Sequence, residues 1–312
     1  MFRPALAALF LFATPLQAEV PRIAVDIAPV YGLVEQVLGD LGRPDLVIRP
    51  GALPHDFALR PSQAAVLEQA DLVIWVGPGL TPWLEDSLET LAGDADQLRL
   101  LEVEGTRLLE MREGANFAGH EDAAEHEGED EDEDEDEPDS GSINPHAWLD
   151  PENARIWLLA IADALADADP RNARTYLDNA EAAANDLGAL VAEVDAQLAP
   201  VRDARFVVLH DAYHYFEDRF GLQAIGAIAD GEATPPGAAR IMELLEGMAD
   251  GDVACLFYEP QSDINLAYAV LETGLPTASL DPLGMSLLPE PDFYTALIRD
   301  MADTALDCLS ES

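Results

Sequence analysis

The chain has 312 residues, with 61 Asp and Glu against 16 Arg and no Lys, for a formal net charge of −45. Such a surface repels nucleic acid and anionic lipid and attracts cations. Hydrophobic residues make up 49% of the chain, enough for one large or two ordinary cores.

The N-terminal stretch "MFRPALAALFLFATPLQAEV" carries one positive charge, Arg3, then an apolar run from Ala5 to Ala13 and a small residue, Ala18. This pattern predicts a signal peptide over residues 1–18 and a mature chain starting near Glu19. Beyond it, no apolar run reaches the roughly 20 residues that a membrane-spanning helix needs.

Strand-like and helix-like runs then alternate. "RIAVDI" (22–27) precedes a helical pattern opening near Pro29, a residue suited to a first turn. "DLVIRP" (45–50) leads through a loop to "RPSQAAVLEQA", and "DLVIWVG" (71–77) leads to "PWLEDSLETLAG". Short, nearly continuous apolar strands between helices predict a parallel sheet covered on both faces. From 113 to 143 the pattern stops. Hydrophobicity collapses, Glu129 to Glu137 are all acidic, and the segment reads as a disordered surface loop. Only fourteen of the 61 acidic residues lie between 119 and 139, so the rest of the chain is strongly acidic as well.

Structure resumes at "NPHAWLDPENARIWLLAIADALA", where Asp150-Pro151 has the form of an N-cap followed by Pro at the first helical position. Leu177, Ala180, Ala184, Leu187, Val191, Val194 and Leu198 then recur at alternating intervals of three and four. This stripe predicts one long helix within 170–200, about 40 Å at ~1.5 Å per residue, able to bridge two lobes. A second α/β block follows, with strand-like "RFVVLH" (205–210), "GLQAIGAI" (221–228), "VACLFYE" (253–259) and "PTASLD" (276–281).

Candidate chemistry gathers at strand ends, where open α/β sheets bind ligands. His55 follows the strand at 45–49, His210 follows "FVVL", Glu259 follows "CLFY" and Asp281 follows "ASL". His146 sits in a loop just before a helix. Three imidazoles and a carboxylate make a four-coordinate set suited to zinc, with manganese or another divalent ion as the alternative. A rival reading comes from "HDAYH", where His210 and His214 are four apart, as in the H-E-x-x-H zinc hydrolase motif. Asp211 stands there in place of the glutamate base and is one methylene shorter. The two cysteines, Cys255 and Cys308, either pair or remain as buried thiols. Paired, they close a loop of about 54 residues, a constraint of roughly 4 kcal/mol.

Five segments, "GALPHDFALRPSQ", "NPHAWLDPENA", "VLHDAYHYFEDRFGL", "CLFYEPQ" and "LDPLG", spread over nearly the whole mature chain. In these the sequence resembles the periplasmic zinc-binding component of bacterial zinc ABC transporters. The resemblance implies two Rossmann-like α/β lobes joined by one long rigid helix. In this chain that means an N-terminal lobe over 19–169 carrying the acidic loop 113–143, a linking helix over 170–200 and a C-terminal lobe over 201–312. It implies that His55, His146 and His210 bind Zn2+, with Asp281 or water as the fourth ligand. Relatives that use a glutamate just before the first histidine are not matched here, because Pro54 holds that position. A histidine at 210, where manganese receptors carry glutamate, implies zinc. The resemblance also implies a Cys255–Cys308 disulfide, a monomer in the periplasm, and delivery of zinc to an inner-membrane ABC permease with its ATPase. No catalysis is expected; a zinc-dependent hydrolase and a periplasmic metal buffer are the readings of other classes. Zinc relatives carry a loop rich in both His and acid, whereas here acid greatly exceeds His. His120 and His126 are expected to bind metal weakly, if at all, with nearby carboxylates.

Overall fold

The computed structural model describes residues 20–55, 57–117, 143–229, 236–249, 252–287 and 292–310. The expected signal peptide and most of the acidic tract, including His120 and His126, lie outside them.

Two four-stranded parallel sheets form the frame. The first contains β1 (Ile23–Val25), β2 (Asp45–Leu46), β3 (Leu72–Trp75) and β4 (Asp96–Arg99), in the order β2-β1-β3-β4. The second contains β5 (Arg205–His210), β6 (Gln223–Ala229), β7 (Val253–Tyr258) and β8 (Thr277–Ser279), in the order β6-β5-β7-β8. Each sheet thus places its first strand between its second and third. The central strands are buried along their length, which is why they read as unbroken apolar runs. β4 is a polar edge strand, "DQLR", and has no apolar periodicity by which a sequence could announce it.

In the first lobe, α1 (Ala28–Leu38), α2 (Pro61–Gln69) and α3 (Pro82–Leu91) follow the strands, each with Pro in its first turn. The α4 helix (Pro151–Ala168) starts as expected at Asp150, whose Oδ1 accepts the Glu152 amide at 2.9 Å. The bridging helix α5 (Ala173–Leu198) is 26 residues long and packs along α4, and a 3-10 turn extends it to Val201. Its buried stripe differs slightly from the expected one. Tyr176 and Leu190 are buried, whereas Leu177 is exposed and Val191 only partly covered. The helical period of 3.6 lets a stripe drift from a strict three-four alternation, so single members such as Leu177 and Val191 fall off the buried face.

In the second lobe, α6 (His214–Phe220), α7 (Ala238–Ala249) and α8 (Tyr268–Leu271) connect the strands, and α9 (Phe293–Ser310) closes the chain. The α9 helix packs against β7 and β8 and also against α1 and α5. One apolar core consequently runs from Val25 and Trp75, through Leu187 and Val194, to Phe206 and Leu297. A disulfide between Cys255 of β7 and Cys308 of α9 ties the last helix to the second sheet. Among the described residues no helix is long and apolar enough to cross a membrane.

The approach to the acidic tract is ordered through Phe117, beyond the loop start expected at 113, and it lies on the second lobe. The Phe117 amide donates to the Ile225 carbonyl at 2.8 Å, and the Ala227 amide donates to Ala115 at 3.1 Å. The strap therefore covers the open edge of β6, satisfying backbone groups that an edge strand leaves unpaired. Gly226 and Gly247 make the approach sterically feasible. A Cβ at Gly226 would overlap the Ala115 carbonyl oxygen, and one at Gly247 would overlap the Asn116 side chain. Arg112 locks the strap in place. Its guanidinium binds Asp211, bridges both Glu217 oxygens at 2.8 Å, and stacks 4.0 Å from the Phe117 ring. On the far side of the tract, Ile143 pairs back with Glu110.

Candidate metal centre

Three histidines from three separate elements meet between the lobes. His55 comes from the loop after β2, His146 from the residue before the 3-10 turn Ala147–Leu149, and His210 from the end of β5. Their available ligand atoms lie within 4.8 Å of one another. Ring centroids are 5.5 Å apart for His55 and His146, 6.1 Å for His55 and His210, and 5.0 Å for His146 and His210. His146 and His210 are buried and His55 is half-buried.

The hydrogen bonds around each ring determine what it offers. Asn144 Oδ1 accepts the His146 amide at 3.0 Å, while Asn144 Nδ2 donates to the Asp211 carbonyl at 3.1 Å. These two bonds fix the Asn144 amide, so its oxygen is the atom facing His146 Nδ1 at 2.8 Å. Nδ1 must donate there, which leaves Nε2 with a free lone pair. His210 Nδ1 faces Glu259 Oε1 at 3.3 Å. The His55 ring hydrogen-bonds the Leu80 backbone. Burial, together with the field of His210, pushes the His55 pKa down to about 4. Burial and the other two rings push His146 well below its ordinary value. At neutral pH the His55 and His146 imidazoles are therefore uncharged donors, ready for a cation with no proton to displace.

Bonds across the lobes hold this geometry. Trp148, whose ring lies tilted 5.1 Å from the His146 ring, donates through Nε1 to the Pro282 carbonyl at 2.8 Å. Tyr294 donates to the Trp148 carbonyl at 2.6 Å, and within the second lobe Tyr213 donates to the Leu280 carbonyl at 2.7 Å. Tyr215 donates to the Asn144 carbonyl at 2.9 Å and accepts the Leu109 amide at 2.9 Å. Pro54, Leu80, Trp148, Pro282 and Leu283 wall the niche beside His55 and His146.

Asp281 is buried but lies outside the group of converging ligand atoms among the described residues. Its Oδ1 accepts the Leu283 amide at 3.1 Å and its Oδ2 the Ser286 amide at 3.3 Å. The hydrolase-like spacing does not survive folding. His210 ends a strand and His214 opens α6, so the two share no helix face. Asp211, the proposed base of that reading, is bound by Arg112. Asn144 and Glu259 were not singled out by sequence as partners of the converging histidines. Asn144 could have been found from its place two residues before His146, and Glu259 from its place at the end of the strand beside β5.

Two parallel α/β lobes, a bridging helix and three imidazoles converging between them define a metal-binding solute receptor. Residues 23–308 match the family described as zinc-uptake complex component A, periplasmic. The chain belongs to this family, ZnuA, which places it outside the cytoplasm as a component of a zinc-uptake system. It is 41% identical over 313 residues to the high-affinity zinc uptake system protein ZnuA of Paracoccus denitrificans, covering 97% of this chain and 96% of that protein. It is 36% identical over 317 residues to the protein of the same name from Brucella suis, covering 95% and 94%. Its fold resembles a crystal structure of ZnuA with a TM-score of 0.75 at 24% identity, over 93% of this chain and 99% of that one.

Proposed function

We propose that this protein is a high-affinity extracytoplasmic zinc receptor, which captures Zn2+ between its lobes and delivers it to an ABC permease powered by a separate ATPase. His55, His146 and His210 are the ligands, and Asp281 or a water completes the set. The observation that carries this reading is the convergence of three imidazoles with ligand atoms within 4.8 Å. Tetrahedral zinc with bonds of about 2.0–2.1 Å spaces its ligands roughly 3.4 Å apart. Loading therefore draws the rings together by about an ångström. Asp281 can join without losing its loop, because a carboxylate oxygen that accepts one amide keeps a second lone pair. An all-imidazole trio favours zinc over harder cations such as manganese. The protein acts as a monomer that begins near Glu19 after signal cleavage, and it does no chemistry on its cargo.

The test is titration of metal-free protein with zinc against a competing chelator. The wild type binds one ion tightly, zinc outcompetes manganese, and His210→Ala loses tight binding. Unchanged affinity in His210→Ala would overturn the site.

A further inference from the structure

We propose that Glu259 is the positioning residue of His210 and the buried counter-charge of the loaded site, so that it sets how tightly zinc is held. This rests on His210 being a zinc ligand. β5 and β7 pair in parallel with Val208 opposite Phe257, and two more residues along each chain bring His210 beside Glu259. Glu259 is fully buried. Its Oε1 faces His210 Nδ1 at 3.3 Å, and its Oε2 accepts the Ser262 hydroxyl at 2.9 Å. The Ser262 amide also donates to the Glu259 carbonyl at 3.0 Å, so the turn holds the side chain from behind. The Cys255–Cys308 disulfide fastens the same strand to α9.

The three histidines are thus backed differently. His55 leans on a backbone carbonyl and His146 on a neutral amide, whereas His210 leans on a carboxylate. An acceptor at Nδ1 fixes the tautomer that presents Nε2, and an anionic acceptor also strengthens the nitrogen as a donor. A divalent ion among neutral imidazoles brings two positive charges into a buried place. Glu259 supplies a compensating charge one imidazole away without occupying a coordination position. Its pull acts on any divalent ion, so it governs affinity and leaves selectivity to the imidazoles.

Three variants separate these roles. Glu259→Gln keeps an acceptor for Nδ1 and removes the charge, Glu259→Met removes both, and His210→Ala removes the ligand. Zinc affinity is measured by chelator competition. The His210 tautomer of metal-free protein is read from long-range 1H–15N correlation spectra. Glu259→Gln is expected to weaken zinc by about 10–100-fold with the Nδ1-protonated tautomer retained. Glu259→Met is expected to weaken it further and to mix the tautomers. If Glu259→Gln does not fold, Ser262→Ala carries the test, with a smaller loss of affinity in the same direction. Wild-type affinity in Glu259→Gln overturns the counter-charge. Wild-type affinity and tautomer in Glu259→Met, with His210→Ala still losing tight binding, overturn the whole proposal and leave the zinc receptor standing. If His210→Ala also binds normally, the receptor site itself is wrong.

Discussion

The two sheets place their first strands in the same position, yet the residues at the ends of those strands do opposite work. Asp26 follows β1 and His210 ends β5, each strand flanked by the second and third strands of its own sheet. Asp26 is fully buried and spends both oxygens on its own lobe, accepting the Ile27 and Val76 amides at 2.8 Å each. His210 anchors Nδ1 on Glu259 and offers a ligand atom to the group that gathers between the lobes. The first lobe instead sends its member of the histidine group, His55, from the loop after a two-residue edge strand. The same topological position can tie a sheet together or serve a ligand, and the choice follows from whether the side chain's bonds are exhausted locally.

The largest effect expected from this contrast is a double dissociation. His210→Ala should weaken zinc by more than the ~100-fold typical of losing an outer partner while the protein stays folded. Asp26→Asn should lower thermal stability and leave zinc affinity within about threefold, within the ~1 kcal/mol uncertainty of such comparisons. Equal zinc losses in both variants would erase the distinction. A second test concerns the strap. Arg112→Met leaves the partly buried Asp211 and the buried Glu217 without their cation, which should cost about 3–5 kcal/mol in denaturant unfolding. An unchanged midpoint would mean the strap contributes nothing to holding the second lobe.

The pH dependence sharpens the Asp26 side. Burial raises its pKa from 3.8 to about 7, against the two amide bonds that lower it. A carboxyl with a raised folded pKa holds its proton more tightly in the folded state, so its contribution is full below about pH 4 and is lost as pH rises through about 7. The stability of the wild type relative to Asp26→Asn should therefore fall over that window, by up to about 4 kcal/mol. Paired melting curves from pH 4 to 8 check this, and a difference that grows with pH contradicts it. The smallest effect is expected from deleting 119–139. One tight zinc site should remain with its affinity intact and only weaker binding should disappear, as read by titration calorimetry. Loss of the tight site would move the primary ligands into the acidic tract.

Much of this was legible in the sequence because each part had a local signature. The buried strands read as apolar runs, α4 announced its start with Asp150-Pro151, and the long helix showed its stripe. The three histidines stood at strand ends and a loop, which is where the fold brings them. The remainder depended on neighbours distant in the chain. β4 is polar and becomes a strand only by pairing with β3. The strap at Ala115–Phe117 has no periodicity, and its place is set by the glycines at 226 and 247 that leave room for it. Glu259 gains its meaning from the β5–β7 register, and Asp281 turns to amides of its own loop that no spacing rule foretells.

The central claim, that imidazoles from three elements hold the zinc, is tested most directly by X-ray absorption at the zinc edge on protein loaded with one equivalent. Three nitrogen scatterers at about 2.0–2.1 Å with imidazole outer-shell features are the expected result, one of them missing in His210→Ala. A first shell of oxygens, unchanged in that variant, would contradict it.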